Sequence, residues 1–240
     1  MAVRYYPLIN RMVKRLSLRD KRTKISGSAL YQSFEKPFIT IAREPGSGGA
    51  PIAKELAKKL GYNLVDQQII GEVAKSTKKR RAIIKRVDEK SRSKITDLVH
   101  SLLNKDYVDD LKYMTELTKV ILTYASQGHV VILGRGSNFI TPLARGLHVS
   151  ITAPYSVRVQ RAMNYEGFDR ATAKQIIADV ERDRRRFVKQ YLSKDPSKAN
   201  AYDITINTTH FTVKQACDII ETSFYGKFPG AKKYFSLLQK

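Results

Sequence analysis

The chain has 240 residues, of which 42% are hydrophobic and 28% are charged. These values are typical of one medium-sized soluble domain with additional segments, and they exclude a disordered chain. Basic residues outnumber acidic ones by 44 to 22, which gives a formal net charge of +22. Such an excess indicates polyanionic partners such as nucleotides, nucleic acid or an acidic membrane face, but it also occurs in proteins whose surface is simply basic.

Neither a membrane span nor a secretory signal is predicted. No run approaches the roughly 18 apolar residues that a transmembrane helix needs, and the segment from Met1 to Arg19 has no long apolar core. The single cysteine, Cys217, excludes an intramolecular disulfide and lies in an apolar helical pattern, so we expect it to be buried. We therefore expect a cytoplasmic protein, of an oligomeric state that the sequence does not indicate.

Residues 1–36 are predicted to form a basic N-terminal extension. Apolar residues recur at helical spacing from Leu8 to Leu16 with basic residues between them, which predicts a short amphipathic helix. The favoured interpretation is a helix packed on the domain. An RNA-binding or membrane-surface arm, and less strongly an organelle-targeting segment, are the alternatives.

The main domain is predicted to span residues 37–225, followed by a C-terminal tail at 226–240. It begins with a β-branched strand at 38–42, which leads into a glycine-rich loop at 43–50. A helix then follows, and Gly61 supplies its end. This order of strand, loop and helix is the first half of a βαβ unit.

Strands and helices alternate through the rest of the domain. Strands are predicted at 63–66, 130–133, 148–153 and 204–206, and helices over most of 68–127, at 154–191 with a break near 167–169, and at 213–224. This alternation predicts an α/β fold with a parallel sheet covered by helices on both faces.

The loop from Arg43 to Ala50 has the composition of an anion-binding turn. Glycines allow successive backbone N–H groups to converge, and the following helix adds the positive end of its dipole. The alternative is a tight turn that needs a flexible backbone. A Walker A loop continues with Lys and Ser/Thr, but Gly49 and Ala50 occupy those positions here. Arg43 or an arginine from a distant segment is the candidate replacement for the missing charge.

Further charged residues are candidates for the same site. Arg182 and Arg186 lie on one face of a predicted helix, with Asp183 between them, and an arginine pair can clamp phosphate oxygens. A highly charged surface helix is the alternative. Arg135 and Asp66 each follow a predicted strand, and ligands of open α/β sheets bind beyond the carboxyl ends of strands. Asp66 is alternatively the cap of the next helix.

These motifs resemble the cytidylate kinase-like family, a variant branch of the bacterial cytidylate kinases. The segments that carry the resemblance, in order, are Ile39–Glu44, Gly46–Gly49, Ile52–Ala53, Val65–Asp66, Ile69–Ile70, Ile132–Asn138, Arg158, Arg161, Gly167–Phe168, Arg182–Arg186 and Tyr202–Asn207. The resemblance implies a three-layer P-loop fold of the nucleoside-monophosphate (NMP) kinase type. Its parallel sheet would have about five strands flanked by helices, with a helical NMP-binding insertion and a lid.

The resemblance also implies an ATP-dependent, Mg²⁺-assisted phosphotransferase that acts on an NMP such as CMP or dCMP. The residues implied to bind ATP phosphates are Gly46, Ser47, Gly48, Gly49 and Ala50. The residues implied to bind the NMP are Asp66, Arg135, Arg158 and Arg161. The candidate catalytic residues are Arg43, Arg182, Asp183 and Arg186, and no metal ligand is assigned.

Two departures from the family pattern bear on this function. The loop lysine is absent, although the variant branch commonly lacks it, and Gly136 stands where typical cytidylate kinases have an aspartate. The alternative is therefore a non-catalytic nucleotide- or RNA-binding protein on a kinase-like fold. RNA or another polyanion would then bind through the basic segments 4–24 and 75–94.

Overall fold

The computed structural model describes residues 34, 36–84, 95, 98–99, 102–103 and 111–231. The predicted N-terminal helix and the basic segment 4–24 lie outside the described residues, and the basic segment 75–94 is described only to residue 84. The limits of the main domain stay predictions, but Phe34 is buried beside Phe38 and the last helix extends to Lys227.

The sheet of the described residues consists of five parallel strands. They are β1 Phe38–Arg43, β2 Asn63–Val65, β3 Val130–Leu133, β4 Gly146–Thr152 and β5 Ile204–Asn207. Their order is β2-β3-β1-β4-β5, so β1 lies at the centre between β3 and β4. The predicted parallel sheet is thereby confirmed, and the loop that follows β1 emerges from the middle of its carboxyl edge.

Helices cover both faces of this sheet. They are α1 Gly49–Leu60, α2 Gln67–Lys75, α3 Thr77–Ile84, α4 Leu111–Gln127, α5 Ser137–Ile140, α6 Tyr155–Glu166, α7 Arg170–Leu192 and α8 Val213–Lys227, with a 3₁₀ turn at Ala199–Ala201. Gly61 ends α1 in the left-handed conformation that glycine adopts readily. The predicted break near 167–169 is also confirmed, because Gly167 ends α6 and the Asp169 carboxylate caps α7.

The hydrophobic core has one layer on each face of the sheet. Alternate residues of a strand point to opposite faces. Accordingly, Phe38 packs into the layer formed with α2 and α4, whereas Ile39 and Ile41 pack into the layer formed with α1 and α8. Cys217 on α8 is 1% exposed in the second layer, as its apolar pattern predicts.

Strand β4 and helix α5 differ from the sequence prediction for identifiable reasons. Strand β4 begins at Gly146, two residues before its predicted start, because Gly146 pairs with Phe38 and leaves room for the Phe38 ring where a Cβ would stand. Helix α5 was not predicted, because four residues are too few to show a helical pattern. Across the residues that the structure describes, no helix is long and apolar enough to cross a membrane.

Candidate phosphate-binding site

The glycine loop joins the end of β1 to the start of α1 at the carboxyl edge of the sheet. Gly46 and Gly48 have φ angles of 76° and 82°, so the chain curls in the left-handed region on either side of Ser47. The first N–H to bond within the helix is that of Ile52, which donates to the Gly48 carbonyl. The amides of Gly49 and Ala50 precede that bond and lie at the positive end of the α1 dipole. This geometry suits an anion.

Buried contacts fix the shape of the loop. The Ser47 hydroxyl donates to the Glu44 carbonyl at 2.8 Å, and the buried Thr208 hydroxyl donates to the Ser47 carbonyl at 2.7 Å. A Cβ at Gly46 would lie 2.8 Å from the carbonyl oxygen of Arg158, so α6 passes too close for any side chain at this position. Gly46 is thus required both by its φ angle and by this close approach.

Two arginines of α6 stabilise the loop through hydrogen bonds. The Arg158 side chain donates to the carbonyls of Ala153 and Pro45 and to the Glu181 carboxylate, at 3.0, 3.4 and 3.1 Å, and it is buried. Arg161 donates to the hydroxyl and the carbonyl of Thr208, at 2.9 and 2.7 Å, and to the Ser47 carbonyl at 3.4 Å.

The family resemblance implies that both arginines bind the NMP, and that role stays a prediction. Both guanidinium groups also donate hydrogen bonds to groups of the protein itself. Glu44 belongs to the same network, since its carboxylate accepts the Thr152 hydroxyl at 2.5 Å and lies 3.5 Å from Arg158. In this arrangement Arg158 and Arg161 position the loop.

Three other arginines come together at the carboxyl end of β1. Arg43 ends β1, Arg135 follows β3, and Arg184 reaches across from α7 to donate to the Arg43 carbonyl at 2.9 Å. Within the described residues, none of the three forms an ion pair with a carboxylate. Burial, together with the positive charges of Arg184 and Arg135, lowers the pKa of Arg43 to about 10. A cluster of like charges that forms no direct ion pair among the described residues favours a multiply charged anion.

The turn that carries Arg135 has an unusual backbone. Gly134, Arg135 and Gly136 have φ angles of 83°, 55° and 64°, and the left-handed region is uncommon for a non-glycine residue. The Arg135 Nε is buried and has no hydrogen-bond partner among the described residues, and the guanidinium carbon lies 5.6 Å from the centre of the Phe187 ring. Strained, incompletely satisfied residues of this kind are concentrated at functional sites.

Asp66 follows β2 at the same edge of the sheet and caps α2. Its carboxylate accepts the N–H groups of Gln68 and Ile69, both at 2.9 Å, which is the capping role considered as the alternative. Its negative charge raises the pKa of Arg43, against the stronger lowering by burial. The side chain of Gln67 accepts from the Arg43 guanidinium at 3.2 Å, so the first residue of α2 reaches the cluster.

The predicted lid residues lie on the outer side of α7. Arg182 pairs with Asp179 at 2.7 Å, and Arg182, Asp183 and Arg186 are all exposed. No hydrogen bond or ion pair joins these three to residues 43–50 in the part of the chain that the structure describes.

Arg184 is the residue of this helix that reaches the loop, and the sequence reasoning missed it. The signal that would have found it is the apolar spacing of α7, whose buried residues include Ile177 and Val188. Steps of four, three and four residues from Ile177 give 181, 184 and 188, so Glu181 and Arg184 lie on the inward face.

The Mg²⁺ that the family resemblance implies finds no complete set of protein ligands here. The described residues contain no group of three or more His, Cys, Asp or Glu side chains able to hold a metal. Ala50 lacks the hydroxyl that a Walker A loop directs at Mg²⁺. Mg²⁺ commonly keeps several waters and binds through substrate phosphates. It therefore fits this site as part of a metal–nucleotide complex.

Comparison with known proteins identifies the family. The model of the cytidylate kinase-like family matches residues 38–210. The chain belongs to this family. It is 23% identical to the cytidylate kinase of Methanopyrus kandleri over 194 residues, an alignment that covers 77% of this chain and 91% of that kinase.

Two further comparisons found a partial sequence match and a similar fold. The chain is 29% identical over 118 residues to the uronate isomerase of Corynebacterium glutamicum, but these cover 49% of this chain and 23% of that enzyme. Its fold is similar to the crystal structure of an uncharacterized protein from Eubacterium ventriosum, with a TM-score of 0.62 and 24% identity over 80% of this chain and 99% of that one. With the family match, this supports the three-layer P-loop kinase fold.

Proposed function

We propose that the protein transfers the γ-phosphoryl group of ATP to an NMP, with CMP and dCMP as the first acceptors to test. The observation that carries this proposal is the cluster of Arg43, Arg135 and Arg184 at the end of β1, where the loop begins, which forms no ion pair with a carboxylate among the described residues. Phosphoryl transfer needs positioning and neutralisation of phosphate charge more than it needs covalent chemistry. A site built from arginines and amides supplies both.

Each part of the site has a place in this reaction. The amides of residues 48–50 and the Arg43 guanidinium bind the donor phosphates, and Arg135 binds the phosphate of the acceptor. An oxygen of the acceptor phosphate attacks the γ-phosphorus in line, and the bond from that phosphorus to the bridging oxygen breaks, so that ADP leaves. Arg184 donates to the Arg43 carbonyl and lies within electrostatic reach of Arg135, and it neutralises charge on the phosphoryl group in transfer.

The exposed residues of α7 retain a proposed role. Arg182 and Arg186 lie about 160° around the helix from Arg184, and Asp183 lies about 100° from it. A rearrangement of α7 on substrate binding would therefore be needed to bring them to the nucleotides. Gly136 replaces the aspartate of typical cytidylate kinases and carries no side chain that can read a base. The acceptor assay is therefore needed to determine whether cytosine is preferred.

A non-catalytic nucleotide-binding protein is the second candidate. It is favoured by one observation, the presence of Gly49 and Ala50 where a Walker A loop has its lysine and its hydroxyl. This candidate predicts that ATP binds and that no acceptor is phosphorylated. Affinity for RNA that falls steeply with salt would support it further.

The test is a product assay on the full chain. The protein is incubated with ATP, Mg²⁺ and each ribo- and deoxyribonucleoside monophosphate in turn, and the nucleotides are separated by ion exchange. We expect one or a few nucleoside diphosphates to form, and we expect Arg135→Ala to abolish them while Arg170→Ala, at an exposed site, leaves them unchanged. Failure of every acceptor with a folded protein that binds ATP would refute the kinase proposal.

A further inference from the structure

The residue types at two positions of the glycine loop are exchanged relative to a Walker A motif. That motif reads G-x-x-x-x-G-K-[ST], with glycine at its first position and lysine at its seventh. Residues 43–50 supply arginine at the first position and glycine at the seventh, with Gly48 retained at the sixth. The cationic side chain and the glycine have thus changed places.

The side chain of Arg43 occupies the space that a side chain at position 49 would need. A Cβ built on Gly49 would overlap the Arg43 Cβ, and it would lie 3.0 Å from the Arg43 Cγ and 3.5 Å from the Ile151 Cβ. The separation from Ile151, a fully buried residue of β4, is an ordinary van der Waals contact, so the steric conflict is with the Arg43 side chain. Arg43 and a side chain at position 49 therefore exclude each other.

A second glycine accommodates the far end of the same arginine. A Cβ on Gly134 would overlap the Arg43 Nη1 and lie 2.9 Å from its Cζ. Gly49 thus leaves room for the aliphatic part of the Arg43 side chain, and Gly134 leaves room for its guanidinium. Gln67 accepts one of its N–H groups at 3.2 Å, and Arg184 holds its backbone carbonyl at 2.9 Å. Gln67 therefore orients the guanidinium, and Arg184 fixes the backbone from which the Arg43 side chain extends.

We propose that Arg43 and Gly49 are an exchanged pair, in which the cation that binds the terminal phosphates of a nucleoside triphosphate enters from the end of β1 and requires glycine at position 49. This deepens the proposed function, on which its catalytic meaning rests. A guanidinium offers two parallel N–H donors to a phosphate, whereas an ammonium is a point charge. The exchange therefore preserves the charge at the donor phosphates and adds directional contacts.

The exchange is tested by reversing it. The affinity for Mg²⁺–ATP and the Tm are measured for the full chain and for Arg43→Ala, Arg43→Gly and Gly49→Lys. Two double variants complete the set, Arg43→Gly/Gly49→Lys and Arg43→Ala/Gly49→Lys. Arg170→Gly, at an exposed site outside the cluster, is the matched control for loss of an arginine.

Single substitutions should separate the requirement for a cation at position 43 from the requirement for glycine at position 49. Arg43→Ala and Arg43→Gly should raise the Kd for Mg²⁺–ATP roughly 10- to 100-fold, the loss expected for one charge-assisted contact. Gly49→Lys should lower the Tm by roughly 2 to 10 °C through overpacking against the Arg43 stem. The control should keep both the affinity and the Tm of the parent protein.

The double variants decide the proposal. Arg43→Gly/Gly49→Lys removes the overlap and rebuilds the Walker A order, so it should bind at least tenfold more tightly than Arg43→Gly and melt above Gly49→Lys. Arg43→Ala/Gly49→Lys retains the overlapping Cβ and should melt below the glycine version. The proposal is overturned if Arg43→Ala binds as the parent does, if Gly49→Lys melts as the parent does, or if the two double variants melt alike.

These readouts are independent of any acceptor. Should the parent protein bind Mg²⁺–ATP but phosphorylate no NMP, the proposed kinase function fails while the affinities and Tm values still decide the exchanged pair. If the parent protein does not bind Mg²⁺–ATP, both proposals are overturned.

Discussion

His148 places an ionisable ring in the centre of the sheet, and we predict that it makes folding sensitive to acid. It lies on β4 directly opposite Thr40 of β1, whose hydroxyl is 2.7 Å from its Nδ1. The residue is 0% exposed. A charged imidazolium in this position would be poorly solvated.

The magnitude follows from the pKa. Burial lowers the pKa of His148 from 6.5 to about 4, with Asp203 opposing the shift. Well above pH 6.5 the ring is neutral in both the folded and the unfolded chain, so it does not make the free energy of unfolding depend on pH there. As the pH falls from 6.5 toward 4, the unfolded chain takes up a proton that the folded chain does not, and the free energy of unfolding decreases. The loss is about 3 kcal/mol by pH 4, of which about 2 kcal/mol has occurred by pH 5.

The assay is urea unfolding, followed by circular dichroism, between pH 7.5 and pH 5. His148→Asn retains a polar group near Thr40 but does not titrate, so it should lose about 2 kcal/mol less stability over this interval than the parent protein. His210→Asn, at an exposed position, is the matched control and should keep the parent's pH dependence. The reasoning is refuted if His148→Asn loses as much stability between these pH values as the parent does.

Three further predictions concern the site and the core. Gly46→Ala should lower the free energy of unfolding by about 1–3 kcal/mol, because its Cβ would meet α6 at a position with a positive φ. Gly226→Ala has free space for its Cβ and should not destabilise the protein. Urea unfolding measures both variants, and equal stability would contradict this geometry. Arg184→Ala should reduce kcat/KM roughly 10- to 100-fold and Arg186→Ala less, and the opposite order in steady-state kinetics would contradict the inward assignment of Arg184. Burial raises the pKa of Cys217 to about 11, so a thiol reagent should modify it far more slowly in the folded protein than in urea; equal rates would show that this thiol is accessible.

The elements whose causes are local could be predicted from the sequence. The path from β1 through the loop to α1 follows from a β-branched run, from glycines that take left-handed angles, and from Gly61 at the helix end. The break at Gly167 and the α7 cap at Asp169 have the same local origin. The fold class followed because strands and helices alternate, a property of pattern and not of any single contact.

Features that depend on contacts between distant residues could not be predicted from the sequence. The hydrogen bonds of Arg158 and Arg161 could not be predicted, because their partners Pro45, Ser47 and Thr208 are separated from them by 47 to 114 residues. Arg184 is distinguished from its arginine neighbours only by the face of α7 on which it lies. The exclusion between Arg43 and Gly49 likewise became visible only when β1 and α1 were placed side by side.

The most direct measurement of the central claim is transfer of the γ-phosphoryl group itself. The full chain is given γ-labelled ATP and an equimolar mixture of NMPs, and the label is traced by ion exchange, with Arg135→Ala in parallel. We predict that label passes from ATP into a nucleoside diphosphate with the parent protein and not with the variant. Label that stays in ATP or appears only as inorganic phosphate, from a folded protein that binds ATP, would contradict the account.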